Sequence, residues 1–213
     1  MTVPCEERDL AQALQAMCDE VDGALQSAVR AIFPDDDRWL TRAEREPLVR
    51  SALSVRRASG AARHAARGLL AAMGQGAWDI VRSPSGAPRW PDGVIGSIAH
   101  DDVFAAVAIG RESALKAIGV DIEAATPLDR DLAAIVATDR ELAEARGDLM
   151  RLKILFCLKE AIYKALRVEK GAFVDFRDVE VFWDQRKAIV KGAVTVDLRW
   201  TSAPRILALG FIR

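Results

Sequence analysis

The sequence predicts an α+β protein of two similar lobes, each with helices packed on a small antiparallel sheet. Apolar residues at helical spacing are followed by short strands between turn residues, and that order then occurs a second time. A length of 213 residues suits one large domain or two small ones packed together. The predicted lobes are 1–124 and 125–213, with the change near Ala124–Asp129 and a site between the lobes.

Composition narrows the class. A hydrophobic fraction of 51% with 29% charged residues is that of an ordinary soluble globular chain. A net charge of −1 argues against wholesale attraction to nucleic acid or an anionic membrane. Cys5, Cys18 and Cys157 are odd in number, far apart and without metal-ligand spacing, which fits a reduced, cytosolic compartment. Met1–Leu10 has no apolar signal core, and no apolar run approaches the ~20 residues of a membrane span.

In chain order, Leu10, Leu14, Met17, Val21, Leu25 and Val29 predict an amphipathic helix over about Asp9–Ile32. Asp35–Asp37 read as a solvated loop rather than a metal cluster, because consecutive residues point in different directions. Thr41 with Glu44 three residues on is a capping box, opening a helix expected to run to about Val55. Arg56, Arg63 and Arg67 share one helical face, either as a basic solvent surface or as a cradle for phosphate. Gly74-Gln75-Gly76 stops that helix, and a short strand-like segment, Trp78–Val81, leads into a turn-rich stretch from Ser83 to Gly93. Val94–His100, Val103–Ile109 and Ile118–Glu123 are expected as the strands of a meander. Helices over about Leu128–Arg146 and Leu149–Arg167 follow. Strands are then expected near Val179–Trp183, Ala188–Val190, Val194–Trp200 and Ile206–Ile212.

Several polar residues sit where chemistry is possible. On a strand, Asp121 and Glu123 project to the same side. Paired carboxylates repel unless a cation lies between them, and a hard divalent ion such as Mg²⁺ takes such oxygen ligands; the bland reading is a strand end with two solvated acids. Gly96-Ser97-Ile98-Ala99-His100 puts a histidine at a strand end, with Gly96 allowing close approach of a ligand to the backbone. A neutral histidine capping a hairpin is the simpler alternative. In the last long helix the apolar arc is Leu152, Leu155, Phe156, Ile162, Tyr163 and Leu166, and Lys159 falls in its middle. A buried ammonium needs a protein carboxylate or an anionic ligand. Glu160 and Lys164 stand at i,i+4 on the edge of the arc. Together this set suits a magnesium-bound polyphosphate better than a Ser/His/Asp or Cys/His nucleophile, and there is no P-loop or GxGxxG fingerprint.

Taken in order, Trp90–His100, Gly119-Val120-Asp121-Ile122-Glu123 and Phe156–Ala165 resemble the motifs of the 4'-phosphopantetheinyl transferase superfamily. The likeness is to its two-lobed, single-chain type, the branch that includes the siderophore-synthetase activators. It spans roughly Arg56–Ala172 and implies that family's pseudo-two-fold fold. It also implies transfer of the phosphopantetheine arm of coenzyme A to a serine of an acyl or peptidyl carrier protein, with release of 3',5'-ADP. Asp121, Glu123 and Glu160 are then expected to bind Mg²⁺, and Ser97, His100, Lys159 and Lys164 to lie at the CoA phosphates. Arg56, Arg63 and Arg82 are expected around the 3'-phosphate. Glu160, Lys164 and His100 are the expected catalytic groups, with Glu160 or a metal-bound water as base. The arginine helix departs from the family at Ala58-Ser59-Gly60, which leaves Arg56 and Arg57 as alternatives. Two competing readings are a Mg²⁺-dependent phosphohydrolase and a non-catalytic relative that binds CoA or a carrier. A monomer acting in the cytoplasm, without nucleic acid or membrane, completes the expectation.

Overall fold

The computed structural model describes residues 2–21, 25–170 and 175–213, without the side chains of 167–170. Its first helix, α1 (Val3–Asp19), has Pro4 in its first turn and buries Leu10, Leu14, Met17 and Cys18. The predicted helix does not extend to Ile32: Gln26–Ala31 is a strand, β1, and positions 22–24 lie outside the described residues. A spacing of four between Leu25 and Val29 fits one helical turn and also two strand repeats, so periodicity alone misassigned it. Gln15 ties the two elements together, accepting from the Ser27 N–H (2.9 Å) and donating to the Leu25 carbonyl (3.1 Å).

Asp36 is not solvated. It starts a 3₁₀ turn (Asp36–Trp39), is fully buried, and accepts from Arg30, the Phe33 N–H and the Trp39 indole. The capping box at Thr41 is present, but its helix, α2 (Arg42–Arg45), is short and passes into a 3₁₀ turn containing Pro47. A separate helix, α3 (Leu53–Ala72), carries the arginines and runs unbroken through Gly60. A Cβ at Gly60 would lie 2.0 Å from the Asp36 carbonyl oxygen, so only glycine lets the 3₁₀ turn rest on this helix. Trp78–Val81 forms no strand; one isolated bridge, Arg82 to Pro88, is all that pairs there.

β2 (Val94–His100) and β3 (Phe104–Arg111) form the predicted hairpin, and β1 adds on the other side of β3. β3 is buried on both faces. Phe104, Ala106 and Ala108 enter the core with α1, whereas Ala105, Val107 and Ile109 meet α3. The third expected strand, β4 (Ala117–Ala124), leaves the meander. It pairs with β8 (Arg205–Ile212) at the edge of a second sheet of order β4-β8-β7-β6-β5. The rest of that sheet is β5 (Val179–Phe182), β6 (Lys187–Val190) and β7 (Val194–Thr201), close to expectation.

The helix expected over Leu128–Arg146 is divided. A 3₁₀ turn and α4 (Ala133–Val136) stop where Ala137 turns extended, and Thr138 caps a new helix, α5 (Asp139–Ala145), through a second capping box. A Thr that satisfies N-terminal amides with its own hydroxyl favours a start over continuation. The long α6 (Leu149–Lys170) lies on β4 and β8, and the last residues of the resemblance, 171–172, lie outside the described residues.

The two sheets share a core through alternate residues of β4. Ile118, Val120 and Ile122 join Leu207, Leu209 and Phe211 against the first sheet, so Gly119, Asp121 and Glu123 face α6. At Gly119 that contact is tight: a Cβ there would lie 1.9 Å from the Ala161 carbonyl oxygen and 2.6 Å from the Ala165 nitrogen. Gly68, on α3, has nothing within 4 Å of a built Cβ. Gly119→Ala is therefore expected to cost about 3 kcal/mol or more in denaturant unfolding. Gly68→Ala should gain up to about 1 kcal/mol. Equal stabilities for the two variants would refute the close approach.

Candidate active site

Asp121 and Glu123, near the end of β4, point at α6 because Gly119 has set that helix against the strand. One turn of α6 brings Glu160 and Lys164 to the same side. Lys164 donates to Asp121 Oδ1 at 2.6 Å, and Lys153, about three turns earlier, donates to Glu123 Oε2 at 2.5 Å. Edge strand β2 closes the opposite wall. Its Ser97 hydroxyl, buried, accepts from the Val120 N–H at 3.0 Å, so the edges of the two sheets are pinned together where the carboxylates begin.

Asp121, Glu123, Glu160 and Lys164 line a cavity of about 460 Å³ with Arg63, Arg82, Ser97, His100 and Phe156. The turn Gly86-Ala87-Pro88 forms another part of its wall. Arg63 is buried in α3, and its guanidinium donates to the carbonyls of Ile80 (2.9 Å) and Ser59 (3.3 Å). Burial pulls its pKa below the ordinary arginine value while Glu44 opposes that shift; such a group stays charged at neutral pH. His100 ends β2 at the cavity mouth. Desolvation, then the positive charge of Lys164 nearby, lowers its pKa and so disfavours the imidazolium.

Of the expected site residues the cavity gathers Asp121, Glu123, Glu160, Lys164, Ser97, His100, Arg63 and Arg82. It does not gather Lys159 or Arg56. Lys159 is 1% exposed, and its ammonium donates to Glu141 (2.7 Å) and to the carbonyls of Val136 and Phe176 (2.9 Å each). Three donors meet three acceptors, so the partner of the misplaced lysine is a protein carboxylate. Arg57 faces a neighbouring cavity of about 260 Å³ that shares His100 with the first, and Arg56 lines neither. Gly96 also lines the first cavity, and Trp90 fills the side a Cβ would take: a Cβ there would lie 2.8 Å from its ring, whose indole N–H bonds the Gly96 carbonyl at 2.9 Å.

Sequence reasoning missed Lys153 and Glu141. Lys153 has no local signature and Glu141 shows only the Thr-x-x-Glu pattern of a cap, since their partners Glu123 and Lys159 lie far along the chain. Glu44 was visible only as a cap. In the folded chain it is also a buried acceptor for Arg67 (2.8 Å) and for the Ile80 N–H (2.8 Å).

The carboxylates fit a cation. Asp121 Oδ2 is buried and has no hydrogen-bond partner among the described residues. Behind it the buried Cys157 thiol has its pKa pushed up by burial, by the negative charge of Asp121 and a hydrogen bond to that carboxylate, and by the charge of Glu123. Among the described residues no three His, Cys, Asp or Glu side chains are drawn together tightly enough to enclose an ion. Two of the three candidate ligands instead carry lysine ammonium groups. An all-oxygen donor set with one orphaned buried oxygen is nevertheless what a hard divalent ion accepts.

Comparisons with known proteins match most of the chain. The family model described as 4'-phosphopantetheinyl transferase N-terminal domain matches residues 25–110, and that described as 4'-phosphopantetheinyl transferase superfamily matches residues 117–203. The 4'-phosphopantetheinyl transferase Npt of Nocardia iowensis is 31% identical over 163 residues, covering 75% of this chain and 73% of that protein. Svp of Streptomyces mobaraensis is 33% identical over 73% of this chain and 63% of its own length. PptT of Mycobacterium tuberculosis is 29% identical over 74% of this chain and 71% of its own. With both halves matched and a relative above 30% identity largely covered, the chain belongs to the 4'-phosphopantetheinyl transferase superfamily and transfers the phosphopantetheine group.

Proposed function

We propose that this enzyme uses Mg²⁺ held by Asp121, Glu123 and Glu160 to move phosphopantetheine from coenzyme A to a serine of an acyl or peptidyl carrier protein. One observation carries the reading: a single cavity is lined by three carboxylates and Lys164 together with Arg63, Arg82 and His100. Under a division into lobes 1–124 and 125–213, this cavity lies on their seam, with β4 as the first lobe's strand built into the second lobe's sheet. When bound, the ion supplies positive charge to the pyrophosphate and its leaving oxygen.

The chain's own groups do the rest. Arg63 and Arg82 hold the 3'-phosphate end, with Arg63 fixed by two backbone carbonyls before the ligand arrives. Ser97 keeps β2 against β4 and so sets the distance between His100 and the carboxylates. The serine hydroxyl attacks the phosphorus that bears the pantetheine arm, the bond from that phosphorus to the ADP oxygen breaks, and 3',5'-ADP leaves. Glu160 takes the serine proton. Lys164 faces the charge that moves to the leaving oxygen, and His100 offers a hydrogen bond to a phosphate oxygen. Lys159 stands outside this list because its donors are spent on protein acceptors.

The resemblance to the siderophore-synthetase-activator branch supports carriers of siderophore or other secondary-metabolite synthesis. A complete set of groups within one chain supports a monomer, and the net charge of −1 gives no reason to invoke nucleic acid. No helix among the described residues is long and apolar enough to cross a membrane, which accords with work in the cytoplasm. A phosphohydrolase would release its product without an acceptor, and a relative without turnover would leave the carrier unmodified.

Asp121→Asn and Glu160→Gln are each expected to lower the rate of carrier modification at least about 100-fold with the fold retained. The mass of the carrier after incubation with CoA and Mg²⁺ reads this, and wild-type modification by either purified variant would sink the metal assignment. Arg63→Ala should weaken binding of CoA about tenfold or more while changing binding of 3'-dephospho-CoA much less. An equal loss for both ligands in calorimetric titration would show that Arg63 does not hold the 3'-phosphate.

A further inference from the structure

The two halves share a device that the sequence disguises. In the first, Glu44 of the Thr41 capping box is buried; one of its oxygens accepts from the Thr41 N–H (3.0 Å) and the other from the distant Ile80 N–H (2.8 Å). The same carboxylate binds Arg67 of α3 at 2.8 Å and lies 3.9 Å from Arg63. In the second half, Glu141 of the Thr138 box is buried likewise. One oxygen accepts from the Thr138 N–H (2.8 Å) and the other from the distant Val181 N–H (2.9 Å). That carboxylate binds Lys159 of α6 at 2.7 Å. Each short capped helix therefore clamps the long helix of its own half to the segment that follows that helix. A helix cap needs only an exposed glutamate; a buried one that also takes a remote backbone N–H and a buried cation is doing more than capping.

What each clamp sets is different. Glu44 fixes the rotation of α3 and the Ile80 segment, and so the two arginines of the cavity, Arg63 on α3 and Arg82 just after Ile80. Glu141 fixes α6 through Lys159, next in sequence to Glu160 and just over one turn before Lys164. We propose that Glu44 and Glu141 are paired positioning residues: Glu44 presets the anion-holding wall, and Glu141 with Lys159 presets the carboxylate and lysine that act in transfer. The inference rests on the roles given above to the cavity residues. It also gives Lys159 a part in the reaction without contact to CoA.

Two positioning residues for two walls should separate kinetically. In Glu44→Gln, KM for CoA should rise about tenfold with kcat within about twofold of wild type. In Glu141→Gln, kcat should fall about tenfold or more with KM for CoA within about twofold. Lys159→Arg, which keeps the charge but not the shape of the ammonium, should follow Glu141→Gln in milder form. Thermal unfolding of each variant shows that the chain is folded. If Glu44→Gln is not, Arg67→Lys replaces it and should raise KM alone. Glu160→Gln is measured beside them. Full activity in that variant would overturn the reading of the cavity itself. If Glu160→Gln is inactive but the clamp variants lose KM and kcat in the same proportion, or lose only stability, the positioning proposal is wrong.

Discussion

The site depends on how close α6 can come to β4. At Gly119 the backbone of the helix rests where any side chain would stand, with Ala161 and Ala165 as the helix's own small residues in the contact. A helix held that near places Lys164 within 2.6 Å of Asp121 and Lys153 within 2.5 Å of Glu123. One methyl group at 119 would push the helix outward, and both distances would grow together. The carboxylate wall is therefore a consequence of backbone packing, and its precision comes from the rigidity of a sheet edge facing a long helix.

The second constraint is the junction of two sheet edges. β2 and β4 are each the last strand of their sheet, and an unpaired edge N–H inside the molecule has to find an acceptor. Ser97 supplies it at Val120, which brings the histidine strand and the carboxylate strand to one cavity. The charges there are arranged for exchange. Lysines stand beside Asp121 and Glu123, and Arg63 is tied to two carbonyls with the Glu44 carboxylate 3.9 Å away. In the proposed function a polyphosphate and its cation would take over neutralisation of these lysines and carboxylates.

Much of this was legible from the residues. β2, α6 and the last four strands fell close to their predicted places because their apolar patterns are long or bounded by turn residues. The Asp121/Glu123 pair and the Glu160/Lys164 turn were readable because strand and helix periods alone put each pair on one side. What escaped were facts about distant partners. Leu25 and Val29 fit either period, so their spacing does not distinguish β1 from a continuing helix. Asp36 looked like one of three solvated acids until Arg30, Trp39 and the Phe33 N–H closed around it. The apolar arc of α6 undervalued Ala161 and Ala165, whose importance lies in smallness. Lys159 was rightly marked as a charge in need of a partner, but Glu141 belongs to a capping box whose second task only the folded chain reveals.

In the proposed function Asp121, with its buried Oδ2, is one of three carboxylates, with Glu123 and Glu160, that would hold a divalent cation together with CoA. Electron paramagnetic resonance of Mn²⁺ titrated into the protein with CoA present tests it most directly. The wild-type chain should remove free Mn²⁺ signal in proportion to its own concentration, and Asp121→Asn should lose this binding while remaining folded. Unchanged Mn²⁺ binding in a folded Asp121→Asn chain would contradict it.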